Sequence, residues 1–302
     1  MQDHIEFVAY HIVPTIQEEI RIYNYLKGIF VELPSAKSVK KALSKGLVYV
    51  DGKPVGSGLW IKEGMKIDLF QKKETALKPF NMELQIVYED DYFAVVNKPP
   101  GLTTSGNRFD TLENAIQGKL QPSGLLDQYV NPRAVHRLDK ATSGLVIIAK
   151  CRSARVAFGQ MLEQREITKK YHALVMGEVV GSGSIELPID DLSAFSTFKA
   201  LKSIPSLRSG NLTLVELSPI TGRTHQLRIH MAYSGTPILG DTLYGEKGHV
   251  LKKKGLFLAA VSLSFIHPFS HTKMDVKIDT PRKFIKRMEI ETKQFLKYRP
   301  SS

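Results

Sequence analysis

Apolar residues recur along this chain at two spacings, and the change from one to the other marks out its elements. In "IQEEIRIYNYL", Ile16, Ile20, Tyr23 and Leu26 fall at helical spacing, and "SAKSVKKALSKG" reads as a second short helix with Ser35 as its N-cap and Gly46 as its stop. "LVYVDGKPV" then sets two β-branched runs about Asp51 and Gly52, residues that accept the positive φ angles of a tight hairpin. The opening segment is therefore expected to be helix, helix, hairpin. Polar "QKKETALKPFNM", with Pro79 and no clear period, reads as a linker over 71–81.

Beyond the linker, strands dominate. "LQIVYEDDYFAVVNKPPG" predicts two short strands about an acidic turn, and "GLVIIAK" predicts a buried strand. "SARVAFGQMLEQRE" is a helix in pattern, with Val156, Gln160, Met161 and Leu162 on a face turned partly inward. "KKYHALVMGEV" and "NLTLVELSPI" read as strands, and "THQLRIHMAYSG" as a helix stopped near Gly235. Several β-runs succeed one another without helices between them. The expected class is α+β: a mixed, largely antiparallel sheet with helices packed on it, preceded by a small α/β N-terminal domain. The boundaries predicted are an extension at 1–11, a first domain at 12–70, the linker at 71–81, a second domain at 82–290 and a basic tail at 291–302.

Charge adds a partner class. Lys and Arg number 42 against 30 Asp and Glu, a net charge of +12, which favours a polyanion such as nucleic acid. Lys37, Lys40, Lys41 and Lys45 share one face of the second helix, where they can meet phosphates or simply water. Cys151 is the only cysteine, so an internal disulfide and a cysteine-based zinc site are excluded, in keeping with a reducing cytoplasm. "MQDHIEFVAYHIV" has no basic segment followed by an apolar core, and the longest apolar stretch, "LFLAAVSLSFI", falls short of the ~20 residues of a membrane span. The expectation is a cytoplasmic protein without a membrane partner.

The densest chemistry lies in "AVHRLDKATSGLVIIAK", where His136, Arg137, Asp139 and Lys140 sit at the mouth of the buried strand. A kinase catalytic loop is excluded, because Leu138 separates His-Arg from Asp and no Gly-rich loop precedes it. "GDTLYGEKG" has the glycine spacing of a phosphate loop, but Glu246 replaces the lysine. No Gly-x-Ser-x-Gly elbow occurs. His225 and His230 lie five apart, on different helix faces, and are read as packing or hydrogen-bonding residues with no metal.

Taken in order, "YFAVVNKPPGLTT", "HRLDKATSGLVIIAK", "KKYHALVMGEV", "SPITGRTHQLRIHMAYSGTPILGDTLYG" and "LFLAAVSLSFIHP" resemble the RluA-type family of RNA pseudouridine synthases. The resemblance spans roughly residues 84 to 270, apart from a loop around 190 to 210. It implies the pseudouridine synthase fold and a cofactor-free isomerisation, in which uracil is cut from C1′ of its ribose, rotated and rejoined through C5. "RIYNYL", the basic helix, "KGLVYVDGKPV" and "IKEGMKIDL" resemble the ribosomal-protein-type (S-four) RNA-binding domain, with Tyr23 where that domain usually carries Asp.

By the same resemblance Asp139 is the catalytic aspartate, acting at C1′ or at the C2′ proton, with Tyr171 and Arg228 completing the catalytic set. A carboxylate moved from water into a covered pocket tends to protonate, whereas a fixed guanidinium beside it keeps it ionised. Arg228 is the expected partner. Arg137 is expected to fill the gap left by the extracted base, which offsets part of the cost of unstacking. Arg223 joins Lys37, Lys40, Lys41 and Lys45 as an RNA contact, Leu258 lines the pocket, and Lys140 is a solvated flanking charge. Thr142, Ser143 and Gly144 form the turn that brings Asp139 to the strand's mouth.

Two stretches depart from the family pattern, which often has a His in the stretch where this chain has Thr103 and Thr104, and a His where it has Ala259. They are expected to alter pocket lining or RNA choice. The implied substrate is ribosomal RNA, foremost that of the large subunit, with transfer RNA as the alternative target and a monomer as the default state. A non-catalytic RNA-binding assembly protein of the same fold is the rival. A glycosidase is the other, but it needs two opposed carboxylates, and Asp241, the nearest second one, reads as a turn cap.

Overall fold

Asp51 and Gly52 take φ angles of 48° and 78°, and the hairpin they close belongs to the first of two compact units, which divide between Thr75 and Ala76. The structure, a computed structural model, describes residues 5–73, 75–245 and 254–298. The first unit runs β1 (Ile5–Ile12), β2 (Ile20–Arg21), α1 (Ile22–Tyr25), α2 (Ala36–Ser44), β3 (Val48–Val50), β4 (Lys53–Pro54), β5 (Trp60–Ile61) and β6 (Lys66–Lys72). Its sheet has the order β1-β6-β3-β4, and β2 pairs separately with β5. Ser35 caps α2 by accepting from the Ser38 amide, while Ser38 reaches back to the Ser35 amide. Val39, Ala42 and Leu43 of α2 turn inward against Ile22, Leu26, Val48, Ile61 and Ile67.

Two sequence expectations for this unit change. The helix expected over 16–26 contracts to Ile22–Tyr25, because Ile20 and Arg21 pair with Ile61 and Trp60 and the Ile22 amide donates to Leu59. Ile16 and Ile20 satisfy their apolar character by packing from extended chain. The described part of the 1–11 extension is strand β1, paired along its length with β6.

The second unit continues with β7 (Gln85–Glu89), β8 (Phe93–Lys98), α3 (Leu112–Ala115), β9 (Gln128–Ala134), β10 (Ser143–Cys151), α4 (Arg152–Glu163), β11 (Thr168–Met176), β12 (Ser182–Glu186), β13 (Phe195–Ser206), β14 (Gly210–Pro219), α5 (Gln226–Tyr233), β15 (Leu258–Ile266), β16 (Lys273–Lys277) and α6 (Arg282–Tyr298). One ten-stranded sheet runs β12-β13-β14-β11-β15-β10-β8-β7, with β16 beside β15 and β9 beside β10. Among the described strands only β10 and β15 pair in parallel. The sheet is thus mixed and largely antiparallel.

Alternation divides the sheet into two faces. On one, Leu145, Ile147 and Ala149 meet Ala154, Phe158 and Met161 of α4, while Leu174, Ala259 and Val261 meet Phe284 and Met288 of α6. On the other, Val146, Ile148 and Ala260 meet Leu102, Leu112 and Leu138, and Ala173, Val175 and Val215 meet Leu227 and Met231 of α5. Every residue of β10 is buried, as its unbroken apolar run requires. Each large apolar side chain so buried stabilises the fold by about 1.5–3 kcal/mol.

Here too some expectations shift. The inward stripe of α4 is Ala154, Phe158 and Met161, which leaves Val156 and Gln160 exposed. The loop expected around 190–210 contains β13, held as a long hairpin against β14. The 71–81 linker is partly fastened: Asn131 and Asn114 bind the backbone of Leu77, Lys78 and Phe80. Helix α6 runs through the 290/291 boundary, anchored beyond it by buried Glu291, which accepts from Ser206 and pairs with Arg287. No helix among the described residues is long and apolar enough to cross a membrane.

Candidate active site

Parallel pairing of β10 with β15 includes Gly144, where φ is +115° and a Cβ would lie 2.1 Å from the Ala260 carbonyl oxygen. Only glycine fits there, and the chain arrives through a turn closed by the Thr142 amide on the Asp139 carbonyl. Asp139 is set on that turn, at the end of the sheet. Its neighbours are clamped from below: Thr104 Oγ1 donates to the Leu138 carbonyl at 3.0 Å and accepts from the Leu138 amide at 3.1 Å. The Gly101 amide donates to the Lys140 carbonyl. Fully buried Lys98 caps the Leu102 and Pro99 carbonyls, and burial pushes its ammonium down to about 8 despite the opposing pull of Asp139.

Asp139 opens into a cavity of about 410 Å³ walled by His136, Arg137, Lys169, Tyr171, Arg223, His225, Arg228 and Leu258, among others. Such a volume suits one small planar ligand or nucleobase. Arg228, from α5, is held by a two-pronged bond to Asp241, Nε and one terminal nitrogen each at 2.7 Å from a carboxylate oxygen. Its other terminal nitrogen is left facing Asp139 at 3.5 Å. Asp241 is almost wholly buried and also accepts from the amides of Leu243 and Tyr244. Burial alone would raise its carboxyl, but Arg228 and those amides outweigh it and hold the group below its ordinary value. The turn-capping role expected for Asp241 is therefore only part of its work: it aims Arg228.

Tyr171 stands on β11 opposite Ala260, and burial, followed by the nearby Asp139 carboxylate, pushes its phenol well above its ordinary value. Leu258 is buried in the wall. Arg137 and Arg223 also line the cavity, Arg137 exposed and Arg223 tied through Nε to the Ser193 carbonyl at 3.1 Å. Gln226, the first residue of α5, fixes the loop that carries Arg223, accepting from Thr221 and the Arg223 amide and donating to Phe195 and Ser196. Lys140 is exposed and outside the cavity wall. Lys37, Lys40 and Lys41 on α2 of the first unit, and Lys45 at its C-cap, are all exposed, whereas Val39 and Leu43 are buried.

His225 was expected to pack or to hydrogen-bond, not to approach Asp139. Instead its Nε2 lies 3.7 Å from Asp139, its Nδ1 lies 3.0 Å from the Tyr244 hydroxyl, and its backbone takes the left-handed conformation with φ 55°. A non-glycine residue held there is strained, and such strain concentrates at functional sites. One sequence signal was available: His225 precedes Arg228 by three residues, a spacing that places both on one side of a helical turn. Thr103 and Thr104 do not line the cavity; Thr103 bonds the Asp110 carbonyl and Thr104 holds Leu138. Ala259 faces α6 on the far side of the sheet. These departures therefore act on the support of the site. No group of side chains suited to a metal occurs among the described residues, and Glu246 lies outside them.

Known proteins resemble this chain in sequence and in fold. The family described as RNA pseudouridylate synthase matches residues 92–233. Ribosomal large subunit pseudouridine synthase D of Buchnera aphidicola is 32% identical over 296 residues, covering 87% of this chain and 91% of that protein. The dual-specificity RNA pseudouridine synthase RluA of Vibrio vulnificus is 34% identical over 211 residues, covering 65% of this chain and 82% of that protein. Among solved structures, human RNA pseudouridylate synthase domain containing 1 shares the fold at a TM-score of 0.55 and 24% identity, over 69% of this chain and 86% of that one.

Proposed function

From the premise that the chain belongs to the RluA-type RNA pseudouridine synthases, we propose that Asp139 is its catalytic carboxylate and that its target is a flipped uridine of large-subunit ribosomal RNA. The enzyme is an isomerase acting on uridine in RNA. The observation that carries the assignment is the approach of Arg228 to Asp139 at 3.5 Å, inside a cavity also walled by Tyr171 and Leu258.

In the reaction the N1–C1′ bond breaks, the base turns, a C5–C1′ bond forms, and the C5 proton is lost while N1 gains one. Asp139 begins it by attacking C1′ or by taking the C2′ proton. A base reaches the cavity only by leaving its stack, at a cost of a few kcal/mol, which the exposed Arg137 head offsets by entering the gap. Tyr171 acts through its ring face and as a neutral hydroxyl, since a phenol held protonated is a poor base. Arg228 presents a guanidinium nitrogen to Asp139, and Asp241 prevents Arg228 from collapsing onto it. The first unit acts as an RNA grip of the S-four type, with the lysine face of α2 on phosphates. The name of the large-subunit relative supports ribosomal RNA as target.

Tritium release from C5-labelled uridine tests this, using total ribosomal and transfer RNA from cells lacking the protein. Wild type is expected to release tritium from ribosomal RNA, and Asp139→Asn to release none while still binding RNA, because losing a negative charge does not weaken a polyanion complex. Substantial release by Asp139→Asn would overturn the assignment; release from transfer RNA alone would move the target.

A further inference from the structure

His136 forms part of the cavity wall, one residue before Arg137, yet the mechanism above gives it no task. Its ring is fixed from behind by the Ile147 amide of β10, which donates to Nε2 at 3.2 Å. A nitrogen that accepts from an amide carries no hydrogen, so the neutral ring holds its hydrogen on Nδ1. Protonation would set a second hydrogen against that amide. Burial and then the Lys169 ammonium, which lines the same cavity, also oppose it and push the imidazole down to about 3. Nδ1 has no hydrogen-bond partner among the described residues, and the residue keeps some exposure. A strand backbone has thus set a neutral N–H donor of fixed tautomer in the wall of the cavity that holds Asp139.

We propose that His136 Nδ1–H donates to a ring carbonyl of the flipped uracil and stabilises the charge that gathers there as the N1–C1′ bond breaks. The inference rests on the cavity being the uracil site. When that bond breaks heterolytically the electron pair stays with the base and spreads over its carbonyl oxygens. A donor already in place, which needs no reorganisation, favours that state over the bound substrate. Neutrality matters as well: an imidazolium would give up its proton to the base, whereas this ring only lends it.

The two ring nitrogens can be tested separately. Asn at this position has its amide nitrogen where Nδ1 lies but cannot reach Ile147, whereas Gln reaches Ile147 from the place of Nε2 and leaves the Nδ1 position empty. His136→Asn and His136→Gln full-length proteins are compared by tritium release from the same C5-labelled ribosomal and transfer RNA, with kcat and KM resolved and thermal melts recorded. Both variants are expected to be slower than wild type, with the Asn protein about tenfold or more ahead of the Gln protein in kcat and KM little changed. The Gln protein is expected to keep the higher melting temperature, so that activity and stability rank oppositely. Equal kcat values, or a faster Gln protein, would show that His136 only supports the strand and would overturn the proposal. If wild type releases no tritium from either RNA, the reading of the cavity fails and this inference fails with it.

Discussion

Replacing Asp241 by Asn isolates the fork that aims Arg228. In the native site one carboxylate oxygen accepts from an Arg228 terminal nitrogen and from the amides of Leu243 and Tyr244, while the other accepts from Nε at 2.7 Å. Asn keeps the first oxygen and turns an amide donor toward the Nε donor. Arg228, itself buried, then loses its counter-ion, a change that costs about 3–5 kcal/mol when a buried pair is broken. For a domain of this size that corresponds to a melting temperature lower by about 6–20 °C. Freed from Asp241, the guanidinium can close the 3.5 Å gap and neutralise Asp139, and a displacement of about 1 Å can lower kcat about 100-fold. The pH dependence follows from the same group. Its carboxyl lies below its ordinary value in the folded state, so its stabilisation is complete above about pH 4 and is lost as the pH falls through the folded pKa. Wild type should therefore lose part of its advantage over Asp241→Asn on acidification below about pH 4. Thermal melts from pH 3 to 8 and single-turnover tritium release measure both effects. A variant that melts within about 2 °C of wild type and keeps its kcat would refute the argument.

Other perturbations separate support from chemistry. Gly144→Ala places a Cβ 2.1 Å from the Ala260 carbonyl oxygen and demands a left-handed φ, so it should cost at least about 4 kcal/mol and yield little folded protein; a soluble variant with a native denaturant midpoint would contradict this. Thr104→Val leaves the Leu138 amide and carbonyl without their hydroxyl partner, a cost of about 1–3 kcal/mol in denaturant melts, with a fall in kcat because the Asp139 turn loosens. An unchanged melt would show that water replaces the hydroxyl. Changing Lys37, Lys40, Lys41 and Lys45 together to Ala should leave the melt unchanged, since all are exposed, while reducing the salt slope of RNA binding by up to about 3. An unaltered slope would remove α2 from the RNA contact.

Local features were legible because their causes are local. The Ser35 cap, the Asp51–Gly52 turn and the stop at Gly235 depend on residues within a few positions of one another. The unbroken apolar run of β10 announces burial on both faces whatever covers it. Other elements depended on distant pairing. The helix expected from Ile16 shortened because Trp60 and Ile61 offered Ile20 and Arg21 strand partners, and β13 formed where no motif appeared because β14 supplied its ladder.

The site divides in the same way. Sequence alone determined that the chain carries an ordered set of RNA pseudouridine synthase motifs, and with them Asp139, Tyr171, Arg228 and Leu258 as residues to be sought together. Tertiary structure alone decided what holds and surrounds them: Asp241 as the fork for Arg228, Thr104 as the clamp on Leu138, His225 beside Asp139, and His136 turned by the Ile147 amide. Each of those relations is a hydrogen bond or charge contact that needs the folded arrangement of the chain, and most join separate elements. Its strength depends on distance, direction and burial, which a linear pattern of residue types does not contain.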